Sequence, residues 1–403
     1  MSNDTPDRPT VEDWSTDWDL HDPAWAPNAI DIWNELRQQC PVAVTERYGR
    51  AYMPVTMDAV TEIARDTSRF SSEWVTVVAP GERNSDAVPP ITSDPPQHPT
   101  HRRLLLAWFN PKAIAQMETD LRAFCRRLIA DLQGAEKADA AEQYAQHIPV
   151  HGICALTGVP ERDADRFRDW IHRTLGEGPQ DRDAARAVFK EMSEYLDAML
   201  RDRLDEPRDD MLTFIAHAEL DGEPLTWFEK IGYVRLLVLA GIDTTWSAIG
   251  SALWHFAQHP DQAAQLARAD DHDMLWQTAT EEVLRYYAPV SMARKITHDT
   301  QVAGCPVRAN EVMLLPFPAA NHDPAAFDDP DEFQIDRARN RHLAFGLGIH
   351  RCIGSNLARL ELTVALQEWL RAFPDYRLDP NGRTTWAPGQ IRGPRNIPVL
   401  LSA

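Results

Sequence analysis

The sequence predicts a mainly α-helical protein with small β-sheets, folded as a single domain over residues 1–403. Most of the chain shows helical periodicity, as in residues 111–133, and only short pieces such as residues 41–46 alternate like strands. The 30 prolines are spread along the chain as boundaries between many elements, and no internal repeat or low-complexity linker divides it. Residues 1–25 are polar and acidic, and we expect them to be loosely ordered.

Charge and cysteine content argue against several classes of function. The formal net charge is −20, whereas nucleic acids and anionic membranes attract basic surfaces, so neither partner is expected. The chain has no run of 18 apolar residues and no signal peptide, which predicts a cytoplasmic protein without a membrane span. The five cysteines are scattered without a C-x-x-C pair, which argues against a disulfide framework and a zinc site. We expect a monomer.

One predicted helix is unusually long. Thr226 and Glu229 have the spacing of a capping box, and no proline interrupts the chain from Trp227 to Gln258. As one continuous helix this segment would be about 48 Å long. Its middle, residues 235–250, is apolar nearly all round, which predicts a buried helix at the centre of the molecule.

This apolar helix contains a carboxylate at Asp243 followed by Thr244. A buried unpaired charge costs several kcal/mol, so the acid needs a specific reason to be there. Two interpretations remain open: a structural hydrogen-bonded pair, or a proton relay beside a bound substrate. Gly241 favours the second, because a glycine inside a helix costs about 1 kcal/mol and would let a flat group approach the backbone.

A second unusual segment is HLAFGLGIHRCIG, residues 342–354, which places Cys352 in a glycine-rich loop before another apolar helix. The free N–H groups at a helix N-terminus stabilise a thiolate. Such a thiolate could act as a nucleophile with His350 as its base, or as the single protein ligand of a metal cofactor such as haem iron. The loop by itself leaves both open.

Residues 345–354, FGLGIHRCIG, resemble the haem-binding signature F-x-x-G-x-x-x-C-x-G of the cytochrome P450 family. Residues 240–245, AGIDTT, resemble the oxygen-activation motif of that family's long central helix, and Glu282 and Arg285 match its E-x-x-R motif. The resemblance extends from about residue 25 to about residue 400. It implies the cytochrome P450 fold, with haem between the long central helix and the helix that follows the cysteine loop.

The resemblance implies roles for individual residues. Cys352 would be the iron ligand of haem b, and Asp243 and Thr244 would be the acid–alcohol pair, with Thr244 bonded to the Ala240 carbonyl. In DPPQHPTHRR, His98 and Arg102 match the H-x-x-x-R pattern that contacts the haem propionates in soluble bacterial members. The expected cofactor contacts are His98, Arg102, Ala240, Gly241, Arg294, Phe345, His350, Cys352 and Gly354.

Glu282, Arg285 and Arg337 would form a structural cluster that holds the segment leading into the cysteine loop. The same E-x-x-R spacing recurs at Glu368 and Arg371, which we interpret as an ordinary surface ion pair.

Taken as a whole, the resemblance implies a haem-thiolate monooxygenase that uses dioxygen, with NAD(P)H electrons delivered by a separate ferredoxin and ferredoxin reductase. Hydroxylation or O-dealkylation of a small or medium lipophilic or aromatic substrate is expected. The pocket would be lined by residues 72–80, by the central helix and by two later turns. The expected lining residues are Val75, Val77, Val78, Leu237, Ala240, Val290, Ser291 and Ile391.

Three other functions are considered. A haem-thiolate enzyme could catalyse C–C coupling, or use peroxide, although the Asp243–Thr244 pair argues against the use of peroxide. A non-catalytic haem protein that senses or carries a gas would not need that pair. A cysteine hydrolase would leave the propionate-binding residues without a purpose.

Overall fold

The computed structural model describes residues 9–78, 88–177 and 182–401, and within them it confirms a mainly helical fold with small sheets. The α-helices are α1 (Trp25–Gln39), α2 (Met57–Arg65), α3 (Gln97–Leu106), α4 (Pro111–Ala115), α5 (Glu118–Ala130), α6 (His147–Thr157), α7 (Ala164–Ile171), α8 (Arg182–Asp205), α9 (Met211–Ala216), α10 (Trp227–Phe256), α11 (Pro260–Arg268), α12 (Met274–Tyr286), α13 (Phe317–Asn321) and α14 (Ser355–Ala372).

The strands are short. They are β1 (Val42–Thr45), β2 (Ala51–Pro54), β3 (Phe70–Ser71), β4 (Lys137–Asp139), β5 (Glu219–Leu220), β6 (Glu223–Pro224), β7 (Ser291–Ile296), β8 (Thr300–Val302), β9 (Cys305–Val307), β10 (Val312–Pro316), β11 (Arg377–Leu378), β12 (Thr385–Trp386), β13 (Pro394–Asn396) and β14 (Pro398–Leu400).

Five strands form the largest sheet, in the order β1-β2-β10-β7-β3. Strand β10 runs parallel to β2 and antiparallel to β7, so the sheet joins the N-terminal third of the chain to residues that lie about 250 positions later. A second sheet has the order β11-β14-β4, and three two-stranded hairpins complete the strands of the described residues. Helix α1 packs on one face of the largest sheet and α2 on the other.

Helix α10 occupies the centre of the helical part, where it packs against α6, α8 and α14. The predicted capping box is present, because Thr226 accepts from the Glu229 N–H and Glu229 Oε2 accepts from the Thr226 N–H at 2.9 Å. By length and composition α10 alone in the described residues could cross a membrane, but 72% of its most apolar 18-residue window is buried inside the protein. It is thus the core helix that the sequence predicts.

The N-terminal segment is more ordered than expected, which corrects the prediction that residues 1–25 are loosely ordered. The first eight residues lie outside the described part, but residues 9–24 pack on the largest sheet, with Trp18 fully buried. Arg47 donates to Asp19 Oδ2 at 3.1 Å, which ties the segment to the turn between β1 and β2. Burial of an indole stabilises this arrangement by about 2 kcal/mol or more, which sequence polarity did not reveal.

A buried ion cluster joins α12 to the segment before the cysteine loop. Arg285 Nε and Nη2 each donate to Glu282 at 2.8 Å, and Arg337 Nε donates to the same carboxylate at 3.0 Å. Both guanidinium groups also bind carbonyl oxygens in residues 328–332, at distances from 2.6 to 3.1 Å. Burial raises the pKa of Glu282, but the two arginines outweigh it and hold the pKa below its usual range.

The second E-x-x-R pair differs from the surface ion pair expected for it. Glu368 is buried and binds Arg122 at 2.7 Å and Arg126 at 2.8 Å, both from α5. Arg371 instead binds Asp271. Glu368 therefore joins α14 to α5, because the helix face that it occupies is covered, a fact that the local spacing does not contain.

We predict that Glu282→Ala lowers the free energy of unfolding by about 3–5 kcal/mol, because it leaves two buried guanidinium groups without their counter-ion. Glu46→Ala is the matched control, since Glu46 forms an exposed ion pair with Arg50 and its loss should cost less than about 1 kcal/mol. Equilibrium denaturation of the two holoproteins measures both values. Equal losses in the two variants would contradict the structural role of the cluster.

Candidate functional site

The centre of α10 borders an interior space. Most side chains around Asp243 are buried, yet Leu236, Ala240, Gly241 and Thr244 retain accessible surface in the middle of the core helix. These positions lie on one face of the helix, because they are separated by one or two turns. The accessible stripe therefore marks the wall of a cavity at the level of the Asp243–Thr244 motif.

The thiol of Cys352 lies immediately before α14, whose N-cap is Gly354. The Cys352 N–H donates to the Phe345 carbonyl at 2.8 Å, which closes the loop on itself. The residue has accessible surface, although protein atoms surround its sulfur closely. This combination is expected of a group that faces an enclosed space rather than the outer surface.

Burial of the Cys352 sulfur opposes the stabilisation of a thiolate that the helix N-terminus provides. Burial raises the pKa of the Cys352 thiol, and the Gly354 N–H together with the charge of Arg102 lowers it only in part. A metal ion deprotonates a coordinating thiol outright, so ligation would supply the anionic form of this sulfur.

Gly348 and Gly241 are required by contacts with neighbouring helices, which the sequence did not predict. Gly348 has a φ of +70°, and a Cβ there would lie 2.8 Å from the Ala64 carbonyl oxygen of α2. A Cβ on Gly241 would lie 2.4 Å from Cδ1 of Ile153 in α6. A side chain at position 241 would point into α6, so the glycine permits close packing of the two helices while its backbone borders the cavity.

The predicted bond within the motif is present, because Thr244 Oγ1 donates to the Ala240 carbonyl at 2.8 Å. Asp243 is fully buried and turns toward β13, where Arg395 Nη2 donates to its Oδ2 at 3.1 Å and Arg395 Nη1 lies 2.6 Å from its Oδ1. Burial raises the pKa of Asp243, and the charge of Arg395 opposes that rise.

Arg395 is the residue that the sequence analysis missed. It follows Asp243 by 152 positions, and its guanidinium carbon lies 4.5 Å from the ring centre of Trp246, which is nearly one helical turn beyond Asp243. An unpaired acid in an apolar helix indicates that a cation is needed, but the sequence contains 41 lysines and arginines, and only the fold selects one.

Four of the expected propionate contacts lie together. The ring centres of His98 and His350 are 4.4 Å apart, and Arg102 and Arg294 lie close enough for their charges to act on His350. Burial, followed by these neighbouring cations, lowers the pKa of His350 to about 3. Since His350 Nε2 also bonds Ser72 Oγ at 2.8 Å, the imidazole is engaged away from the Cys352 sulfur, which does not favour a hydrolase.

Within the described residues no carboxylate forms an ion pair with this basic cluster, although the charge of Asp94 acts on both His98 and Arg294. None of the four residues forms an ion pair within the part of the chain that the structure describes, and neither ring nitrogen of His98 has a hydrogen-bond partner there. Arg294 is buried, its pKa is lowered to about 10 by burial, and it donates to the Ala293 carbonyl at 2.7 Å. Such donors fit an anionic ligand, and the two carboxylates of haem supply that charge beside a single thiolate.

The expected pocket segments also converge. Val290 pairs with Ile391 in an isolated bridge, and Ala293 N–H donates to the Val75 carbonyl at 3.1 Å. Two expected lining residues are corrected: Leu237 packs into the helical core and Val77 into the core beneath the largest sheet, each 5% exposed.

The remaining expected lining residues differ in how much of their surface is accessible. Val75, Val78, Val290 and Ile391 keep partial exposure, and Ser291 is buried in β7. Of the expected segment 72–80, the last two residues lie outside the described part.

Comparison with known proteins gives consistent matches. The family model for cytochrome P450 matches residues 150–382. The cytochrome P450 monooxygenase PikC of Streptomyces venezuelae is 33% identical over 386 residues, which cover 93% of this chain and 91% of that protein. The erythromycin C-12 hydroxylase of Saccharopolyspora erythraea is 32% identical, with coverage of 93% and 94%. The solved structure of the bacillaene polyketide synthase cytochrome P450 PksS of Bacillus subtilis has a TM-score of 0.86 at 27% identity, covering 96% of this chain and 100% of that one.

We predict that Arg395→Leu raises the pKa of Asp243 further above its usual range, because the opposing cation is lost. The carboxyl band of Asp243 would be followed against pH by infrared difference spectroscopy, with Arg395→Leu measured against the Asp243→Asn/Arg395→Leu double variant. Since folding then favours the protonated acid more strongly, the variant also loses stability as pH rises through the new pKa. If the titration midpoint of Asp243 in Arg395→Leu equalled that in the wild-type protein, this would contradict the coupling of Asp243 to Arg395.

Proposed function

Because this chain belongs to the cytochrome P450 family and is therefore a monooxygenase, we propose that it inserts one atom of dioxygen into a small or medium lipophilic or aromatic substrate. Hydroxylation and O-dealkylation are the expected reactions. The observation that carries the proposal is the basic cluster beside Cys352: in the described part of a chain of net charge −20, four basic side chains lie together and none forms an ion pair.

The residues present fit thiolate-ligated haem b. Cys352 would ligate the iron through Sγ, while His98, Arg102, Arg294 and His350 would bind the two carboxylates. Thiolate-ligated haem supplies reductive activation of dioxygen and the transfer of one oxygen atom. The protein supplies the ligand, the neutralising charge and a cavity that excludes water.

Asp243 and Thr244 would handle protons at the face of α10 that borders the cavity. The Thr244 hydroxyl, held on the Ala240 carbonyl, keeps its oxygen lone pairs available to accept a hydrogen bond from the cavity. Asp243 holds a proton more readily than an exposed aspartate, because burial raises its pKa. Arg395 would set how readily that proton is released, since it stabilises the carboxylate.

The substrate class follows from the lining. Val75, Val78, Val290 and Ile391 offer apolar surface, which favours a lipophilic substrate that binds by exclusion of water. We include polyketide-derived compounds in this class, because one similar protein is named an erythromycin C-12 hydroxylase and another a cytochrome P450 of polyketide biosynthesis.

We propose a ferredoxin and its NAD(P)H-dependent reductase as the electron donors. Arg351 is exposed and adjacent to Cys352, and its carbonyl accepts from Arg102 Nη2 at 2.5 Å. Positive charge at this position would steer an acidic electron carrier toward the cysteine loop, where the path to the iron is shortest.

We predict that the reduced wild-type protein with carbon monoxide absorbs at the Soret position of thiolate-ligated haem, and that Cys352→Ser loses this band. Cys154→Ser is the matched control, since Cys154 is a buried free cysteine in α6. Haem content and absorption spectra are measured on all three proteins. Retention of the band in Cys352→Ser would exclude this residue as the ligand.

We predict that Arg294→Leu accelerates haem loss by on the order of ten-fold or more, because a charge-assisted hydrogen bond is worth about 1.5–3 kcal/mol. Arg392→Leu is the control: its pKa is likewise lowered to about 10 by burial, but its guanidinium carbon lies 5.6 Å from the ring centre of Trp33 and 5.5 Å from that of Trp386. Transfer of haem to an excess of apo-globin measures the rates. Equal rates in the two variants would refute the propionate assignment of Arg294.

A further inference from the structure

Gln390 lies where three segments around the expected substrate pocket meet. Its Nε2 donates to the Ser291 carbonyl at 2.9 Å and to the Val75 carbonyl at 3.2 Å, and its Oε1 accepts from the Val77 N–H at 2.6 Å. Its own carbonyl accepts from the Ser291 N–H at 2.8 Å. One side-chain amide thus uses both donors and its acceptor to join the C-terminal turn, β7 and residues 75–77.

This amide acts where regular strand pairing ends. Strand β3 pairs with β7 so that Ser71 faces Lys295. Four residues later, the Val75 carbonyl accepts from the N–H of Ala293, which is only two residues along the partner strand. Between these two contacts the chain advances four residues, from Ser71 to Val75, while β7 advances only two, from Lys295 to Ala293. The two additional residues form a bulge, which interrupts the hydrogen-bonded ladder.

The bulge has a visible cause. The Ser72 N–H donates to Asp94 Oδ1 at 3.0 Å, and the Ser72 hydroxyl bonds His350 Nε2 at 2.8 Å, so the chain leaves β7 to meet the cysteine loop. Beyond it, a single main-chain hydrogen bond joins residues 73–78 to another segment within the described part of the chain. The Gln390 amide replaces the absent ladder, because a carboxamide has the same donor and acceptor as a peptide group.

We propose that Gln390 positions residues 75–78 as a wall of the substrate pocket and thereby limits the size of the ligand that reaches the iron. The proposal rests on the proposed function, since the pocket is that of the haem enzyme. Val77 is anchored in the core beneath the largest sheet, while Val75 and Val78 remain partly exposed. Release of the amide would therefore shift the exposed valines without removing any apolar contact of their own.

The test uses Gln390→Leu in the haem-loaded protein, with imidazole and 4-phenylimidazole as probes of different size. Both bind through a nitrogen to the iron, but only the second has a phenyl group to contact the wall. Because the wall would no longer exclude the phenyl group, we expect the affinity for 4-phenylimidazole to rise by on the order of ten-fold relative to that for imidazole, with hydrogen exchange of residues 74–78 accelerated to a similar degree.

Gln367→Leu is the matched control. Gln367 is a buried glutamine of α14 whose Nε2 donates to the Asp271 carbonyl at 2.9 Å and whose Oε1 accepts from Arg122 at 2.9 Å, so it bonds none of the pocket segments. Its loss removes a comparable tether, and we expect the probe ratio and the exchange of residues 74–78 to stay as in the wild type. An equal change in both variants would reduce the effect to general destabilisation and overturn the proposal.

A second variant, Gln390→Glu, covers the case in which the leucine variant does not fold. Its carboxylate would face the carbonyl oxygens of Val75 and Ser291, whereas its protonated form again donates a hydrogen bond. Because a carboxylate cannot donate to these carbonyls, we expect Gln390→Glu with its carboxyl group ionised to change the probe ratio and the exchange of residues 74–78 in the same direction as Gln390→Leu. A wild-type ratio with wild-type exchange would contradict the tether.

The outcomes test the Gln390 tether and the proposed function of the protein separately. Unchanged exchange in Gln390→Leu would refute the tether, and accelerated exchange with an unchanged probe ratio would refute its effect on the pocket. Absence of the thiolate-ligated carbon monoxide band in the wild type would instead overturn the proposed function, while the exchange measurement still decides whether Gln390 holds residues 74–78.

Discussion

Compensation of buried charge organises this protein. Glu282 lies in the interior with two arginines, and this cluster holds residues 328–332, from which the chain runs directly into the cysteine loop. Each buried ion costs several kcal/mol unless it is paired and hydrogen-bonded, so the cluster permits only one arrangement of these segments. The position of Cys352 at the start of α14 depends on that arrangement.

The same constraint distinguishes structural charges from those that await a ligand. Asp243 has Arg395 as its counter-ion, and burial raises the pKa of Glu361 well above its usual range. In the basic cluster beside Cys352, within the described residues, His98 lacks hydrogen-bond partners and Arg294 forms no ion pair, although the charge of Asp94 acts on both. The two carboxylates of a bound haem would complete the charge pairing there.

Side-chain amides extend the network to the expected substrate pocket. Regular pairing along β7 stops at the bulge near Ser72, and Gln390 takes over the hydrogen bonds that a strand would supply. The wall of the pocket therefore depends on a residue from the last turns of the chain. This arrangement couples the C-terminal segment to ligand selection, although Gln390 itself need not touch the ligand.

The sequence by itself determined the central helix, its capping box and the loop around Cys352, because caps, periodicity and glycine spacing are local properties. It also specified the Thr244–Ala240 bond, which lies within one helical turn. Only the tertiary structure decided that Arg395 is the partner of Asp243, that Ile153 is the reason for Gly241, and that Glu368 is buried against α5. These contacts join residues from 88 to 246 positions apart, and no local pattern selects one such partner among many. Pairing of distant charges and close packing of helices are consequences of the fold, so they become visible only when the fold is known.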